Sequence, residues 1–416
     1  GKFLTEGGQA HKKFGWTARA SLDPKSANVS TPLHGDSRAA FLFRKTAGGK
    51  TEEKKFDVKG AAVVQLERRG NTYIMSVAKF GEPLVSQEVS DVDLGEEPYV
   101  GLFVCAHNKD DIHKVLFQDV RITQPANAKF VPYKDYIGSN LEILDLESGR
   151  REIVYHVTDS LQAPNWTSDG KALIYNRNGK LYRFDLAAKE PKVIDSGSAT
   201  NNNNDHVISP DGQWLGISNH VKEEGSKSIV FVVPIDGGQP RRVTALGNSY
   251  FHSWSPDGRE LLYTGERNKV FDIYRIWLEG GDETRITDGK GLNDGAEYSP
   301  DGKYIFFNST RGGGKMQIYR MRPDGSEIEQ LTDDEYNNWF PHISPDKKWI
   351  SIISFPADID PKDHPFYKHV YLRLMPYPGG TPKVIAYLYG GQGTINVPSW
   401  SPDSKRLAFV SNTAGD

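Results

Sequence analysis

Over the last two thirds of the chain, from about Tyr136, apolar and polar positions fall into short alternating runs. Runs such as Lys303-Tyr-Ile-Phe-Phe307 follow a tight turn, and two or three apolar residues precede it, as in Phe251-His-Ser-Trp254. Period-two alternation of this length predicts β-strands. The turn between each pair is Ser-Pro-Asp-Gly or a close variant, beginning at Thr167, Ser209, Ser255, Ser299, Ser344 and Ser401. Copies begin between 42 residues apart (Thr167 to Ser209) and 57 residues apart (Ser344 to Ser401). That is the period of a four-stranded propeller blade, and six copies predict six blades.

Each repeat has the same internal logic. Glycine tolerates positive φ and aspartate bonds nearby amides, so Asp-Gly suits a short hairpin. A third strand follows, as in Phe271-Asp-Ile-Tyr-Arg-Ile276 or Met316-Gln-Ile-Tyr-Arg320, and turns such as Asp236-Gly-Gly238 lead to a fourth, as in Pro240-Arg-Arg-Val-Thr244. The last motif, within 397–410, provides two strands. Leu141–Leu146 and Arg151–Tyr155 are predicted to supply the missing pair and close the ring, which removes its open edges.

Residues 1–126 lack the motif. Alternation at 61–68, 72–77, 98–104 and 114–117 predicts a second all-β part, a β-sandwich, joined through a linker at 124–128 to a propeller spanning 132–416. The 416 residues carry 51 basic and 54 acidic side chains, a net charge of -3, which offers no field for nucleic acid or an anionic membrane. No apolar run is long enough to span a bilayer. Cys105, the single cysteine, excludes an intramolecular disulfide and a thiolate zinc site, and its apolar run predicts a buried small hydrophobe.

The repeats, of which Val397-Pro-Ser-Trp-Ser-Pro-Asp403 is typical, resemble those of the TolB family of six-bladed propellers with PD40-type repeats. The resemblance covers about two thirds of the chain and implies the fold, while blades of this kind serve scaffolds, peptidase gates and enzymes alike. Gly15-Trp-Thr-Ala-Arg-Ala-Ser-Leu-Asp23, Val64–Arg68 and Gly101–His107 resemble concanavalin or laminin-G-like sandwiches, which run longer on their N-terminal side, so the domain is expected to be incomplete at Gly1. The residues from Gly1 do not read as a signal peptide, which a mature secreted protein is expected to have lost. The resemblance implies a periplasmic or secreted protein.

Candidate chemistry lies just before the six motifs, where the innermost strands border the central channel. His206, His252 and His342 fall within one residue of the same repeat position, with Asp205, Asp294 and Glu297 near them. Converging imidazoles and a carboxylate serve as general acid and base or hold a divalent metal. Alternatively each histidine bonds a neighbouring backbone or packs between blades. Oligogalacturonate lyases are propellers of similar repeat type, and that resemblance implies manganese on His206, His252 and His342, with Gln392 nearby and a histidine removing the proton next to a sugar carboxylate. Arg267, Arg311 or Arg373 would then pair with that carboxylate. Asn201–Asp205 offers oxygen ligands for calcium or else forms turns. Trp339, Phe340 and Tyr250 could stack on a sugar, with Asn396 adding an amide. His364 and His369, in or beside an insertion at 356–367, are expected to be exposed in a lid. No nucleophile elbow or phosphate-binding fingerprint is present. The reading is a carbohydrate-directed protein with a binding or catalytic site in the funnel; the rival is a scaffold for a protein or peptide partner.

Overall fold

The computed structural model describes residues 1–5, 7–131 and 133–415. The chain forms two compact units, Gly1–Val120 and Arg121–Asp416. Among the described residues there is no α-helix, only one short 3₁₀ turn at Lys222–Glu224.

In the first unit a five-stranded antiparallel sheet contains Lys13–Arg19, Asn28–His34, Ala40–Arg44, Glu52–Lys55 and Tyr99–Cys105, and a three-stranded sheet contains Val63–Arg69, Thr72–Ala78 and Val85–Val89. Both contribute to one core, with Phe14, Val29 and Phe41 from one sheet and Tyr73, Met75 and Val77 from the other. Cys105 is half-buried, not fully buried as expected, because among the described residues no further strand pairs outside its own.

The second unit is a six-bladed propeller. Five blades are four-stranded antiparallel sheets, starting with the inner strands Gln162–Trp166, Asn202–Ile208, Ser249–Trp254, Asn293–Tyr298 and Asn337–Ile343. They are numbered one to five here. The sixth joins the ends of the unit: Arg406–Thr413 pairs with Gly138–Asp145, which pairs with Arg151–Val157. Trp400, bridged to Leu407, marks its inner strand. Glu142 ties this closure together. It is fully buried, takes hydrogen bonds from Arg151 at 2.8 Å and from the Ser411 hydroxyl, and pairs with Arg121 at 3.2 Å. Burial works to raise its pKa, but the two arginines and the hydroxyl overcome that and hold it below the usual carboxylate range.

The segment at 124–128 is not a free linker. Gln124 donates its amide to Thr413 Oγ1 at 2.9 Å and accepts from Ala414 N–H at 2.7 Å, and Ala126 N–H donates to the Tyr389 hydroxyl.

The repeated motif works as a hydroxyl–carboxylate clamp. In blade two, Ser209 Oγ donates to Asp211 Oδ1 and accepts from Trp214 N–H at 2.9 Å, while Gln213 N–H donates to the same carboxylate at 3.0 Å. Gly212 sits at φ 72°, and Lys347 and Ser404 adopt the same left-handed conformation where their motifs lack glycine. Blades then pack face to face. Val207, Val230 and Val232 of blade two lie against Phe251, Trp254 and Tyr263 of blade three. Burying each such aromatic contributes about 2–3 kcal/mol, and Trp254 Nε1–H also donates to the Val207 carbonyl at 2.9 Å.

Candidate functional site

Every one of the five inner strands carries an irregularity in its pairing with the next strand, and this decides which side chains reach the channel. In blade three, Phe251 pairs with Tyr263 and Ser253 with Leu262, leaving His252 as the extra residue. In blade two the irregularity falls between Asn202 and His206, so His206 itself is paired, with Ile217. Glu297 and His342 are likewise paired, with Phe306 and Ser351. A bulge leaves its extra residue outside the ladder and re-aims its side chain.

A cavity of about 500 Å³ opens above the bulges. His252, Asp205, Asp294, Gln392 and Asn396 line it, together with Tyr250 and Phe340. His206, His342, Glu297, Trp339, Arg267 and Arg311 are not among its lining residues. The expected three-histidine centre therefore does not form around it. His206 is fully buried and donates Nε2–H to the Ile174 carbonyl at 3.3 Å; burial pulls its pKa down to about 4. His342 is bonded at both nitrogens, Nδ1 to Glu297 Oε2 at 2.7 Å and Nε2 to the Ile395 carbonyl, and Glu297 Oε1 also accepts from Ile343 N–H at 3.0 Å. These two residues brace blades four, five and six. Among the described residues no group of three or more His, Cys, Asp or Glu side chains is placed to hold a metal. The histidine set implied for manganese does not fit that ion, since two of its members are spent on structural bonds.

Arg267 grips Glu283 with two bonds of 2.7 Å, Arg311 pairs with Asp288 at 3.0 Å, and Arg373 pairs with Asp334 at 2.7 Å, so each is held within the blades. Asn202 and Asn203 bond locally: the Asn202 amide donates to the carbonyls of Gly179 and Ala199, and Asn203 donates to Asp205 Oδ2 at 2.8 Å. Trp339, 1% exposed, packs edge-on behind His364 with ring centroids 4.4 Å apart.

His364 faces the cavity, contrary to the expectation of an exposed loop. The insertion folds inward because Phe366 and Tyr367 are buried, and Tyr133 and Tyr136 pack on Phe366 at 5.3 and 5.8 Å. That apolar pair was the available signal in the sequence. Asn176 and Phe271, from second and third strands, also line the wall; no motif marks them.

The cavity has two poles. On one side carboxamides form a chain. Asn204 donates to Gln162 Oε1 at 2.9 Å, Asn396 donates to Gln392 Oε1 at 2.9 Å, and Gln392 donates to Asn204 Oδ1 at 3.5 Å. On the other side His252 Nε2–H donates to Asp294 Oδ1 at 2.9 Å, an oxygen that also accepts from Thr264 Oγ1 at 2.6 Å and Gly295 N–H at 2.8 Å. Burial works to raise Asp294, but the imidazole and these donors bring it down to about 2, and Asp294 in return raises His252 against the effect of burial. Burial lifts Asp205 to about 6 against the pull of His252, and lowers His364. The arrangement offers hydroxyl-binding amides beside a carboxylate-oriented imidazole.

Residues 252–359 match the family model of the TolB β-propeller domain. The uncharacterized protein Atu1656 of Agrobacterium fabrum is 46% identical over 273 residues, 65% of this chain and 92% of that protein. This chain belongs to the TolB-like β-propeller family. A solved TolB candidate from Agrobacterium tumefaciens is 44% identical to it, with a TM-score of 0.64 over 68% of this chain and 100% of that one. Oligogalacturonate lyase in complex with manganese is 11% identical, covers 60% of this TolB-like chain and 67% of its own, and has a TM-score of 0.40. At that distance it carries no argument about chemistry. No helix among the described residues of this family member is long and apolar enough to cross a membrane.

Proposed function

We propose that the propeller cavity binds a carbohydrate or a comparable small hydroxyl-rich ligand, outside the cytoplasm, with the His252–Asp294 pair available for proton transfer. One observation carries this reading: a recess of about 500 Å³ whose lining holds both a chain of carboxamides and the rings of Tyr250, Phe340 and Phe366. A carboxamide both donates and accepts, as a hydroxyl does, and aromatic faces cover the apolar face of a sugar ring. The volume lies in the range of small-molecule sites. A protein-binding scaffold would be favoured by a flat apolar face, which a concave amide wall is not. For the first unit we propose a concanavalin- or laminin-G-like accessory glycan-binding module, supported by its two antiparallel sheets over one core.

The test is a thermal-shift screen of neutral and charged sugars on the intact chain, followed by calorimetry on the hits. Asn204→Ala and Gln392→Ala are expected to weaken binding roughly tenfold, the loss of a ligand hydrogen bond in a buried site. If no sugar of any class raises the melting temperature, the reading fails. Among the described residues no arginine or lysine lines the cavity, so uronate polymers are expected to yield no unsaturated product.

A further inference from the structure

We infer, building on the carbohydrate reading, that the ligand of this cavity carries a protonated primary amine and that Asp205 is its counter-ion. The charges of the wall lead there. Among the described residues its lining holds two carboxylates, Asp205 and Asp294, three histidines, His220, His252 and His364, and no lysine or arginine. Asp294 is already served by His252, Thr264 and the Gly295 amide. His364 approaches only the other oxygen of Asp294, at 4.0 Å. His220 is turned to the Ser226 carbonyl through Nδ1.

Asp205 is different. It is 6% exposed, and among the described residues its side chain has one hydrogen-bond donor, Asn203 Nδ2, which reaches Oδ2. Oδ1 is left without a donor, in a side chain that borders the cavity. A buried carboxylate held this way costs free energy unless a cation meets it. The titratable groups near it are Tyr250, His252 and Asp294, and the imidazole of His252 is committed to Asp294. An amine on a hydroxyl-bearing ring would reach Asp205 while its hydroxyls meet Asn204, Gln392 and Asn396.

Calorimetry on the intact chain distinguishes the two levels of the reading. The probes are glucosamine and galactosamine, their parent hexoses glucose and galactose, and the non-sugar amine 1,4-diaminobutane. The expected result is that an amino sugar binds at least tenfold more tightly than its parent hexose, and that Asp205→Asn abolishes the difference while leaving the melting temperature at or above that of the native chain. Equal binding of amino sugar and parent hexose would overturn the counter-ion role and leave the carbohydrate site standing. Binding of 1,4-diaminobutane, lost in Asp205→Asn, with no binding of any sugar would support the counter-ion role and overturn the carbohydrate reading. A preference for amines that survives in Asp205→Asn, or no binding of any probe, would overturn the inference.

Discussion

His252 and Asp294 come from the inner strands of adjacent blades and meet at 2.9 Å on the wall of the cavity. His252 is the unpaired residue of its bulge, whereas Asp294 is paired with Asn308. Asp294→Asn is expected to cost about 3 kcal/mol, as breaking a buried charge pair does, and to lower the His252 pKa from its native value, since burial is then opposed only by the weaker pull of Asp205 and Glu297. An NMR titration of the imidazole checks this. The native carboxylate at about 2 contributes stability that is complete above its unfolded value of 3.8 and is lost as pH falls toward 2.

Asp205 runs the other way. Between pH 3.8 and about 6 the folded chain holds a proton that the unfolded chain has released, so stability falls as pH rises through that window. Above it the ligand-free protein bears a steady cost of about 1–3 kcal/mol. Asp205→Asn is therefore expected to melt higher than the native chain at pH 7 and at the same temperature near pH 4. Equal melting at both pH values would contradict this.

His206 makes the protein acid-sensitive. Its folded value of about 4 lies below the ordinary 6.5, so the unfolded chain takes up the proton first and stability is lost as pH falls from 6.5 to 4. Replacing it by Gln, which cannot charge, should flatten the melting temperature across that window by a few degrees while lowering it at neutral pH.

Glu297 tests the distinction between brace and binding site. Glu297→Ala removes the acceptor for both the His342 imidazole and the Ile343 amide, and is expected to cost about 2–4 kcal/mol. Any ligand of the cavity should still bind the folded fraction within twofold, because Glu297 does not line it. A selective loss of binding with unchanged stability would return Glu297 to the site.

Those contrasts show how far the sequence could be read. Six copies of Ser-Pro-Asp-Gly or a close variant announced six blades, and the stranded ends at 141–155 and 397–410 announced the closure. His206 and His252 both stand three residues before their motif serines, at Ser209 and Ser255, yet only His252 lines the cavity. Alternation reports which face a residue takes in a regular strand, and an irregularity shifts that phase by the residues it inserts, one in blade three and two in blade two. No local residue marks where the irregularity falls. His364 escaped for another reason: an insertion rich in Pro and Asp looks solvated until the ring of Trp339 beneath it is in place.

The closing blade also dictates an order of events at the ribosome. Gly138 and Asn412 are hydrogen-bonded across 274 residues of sequence, so the strand beginning at Gly138 must wait with one backbone edge unpaired while every intervening blade is synthesised. Until Arg406–Thr413 emerges the nascent propeller is an open crescent, and its exposed edge is the place where a chaperone is needed or where two unfinished copies would exchange strands.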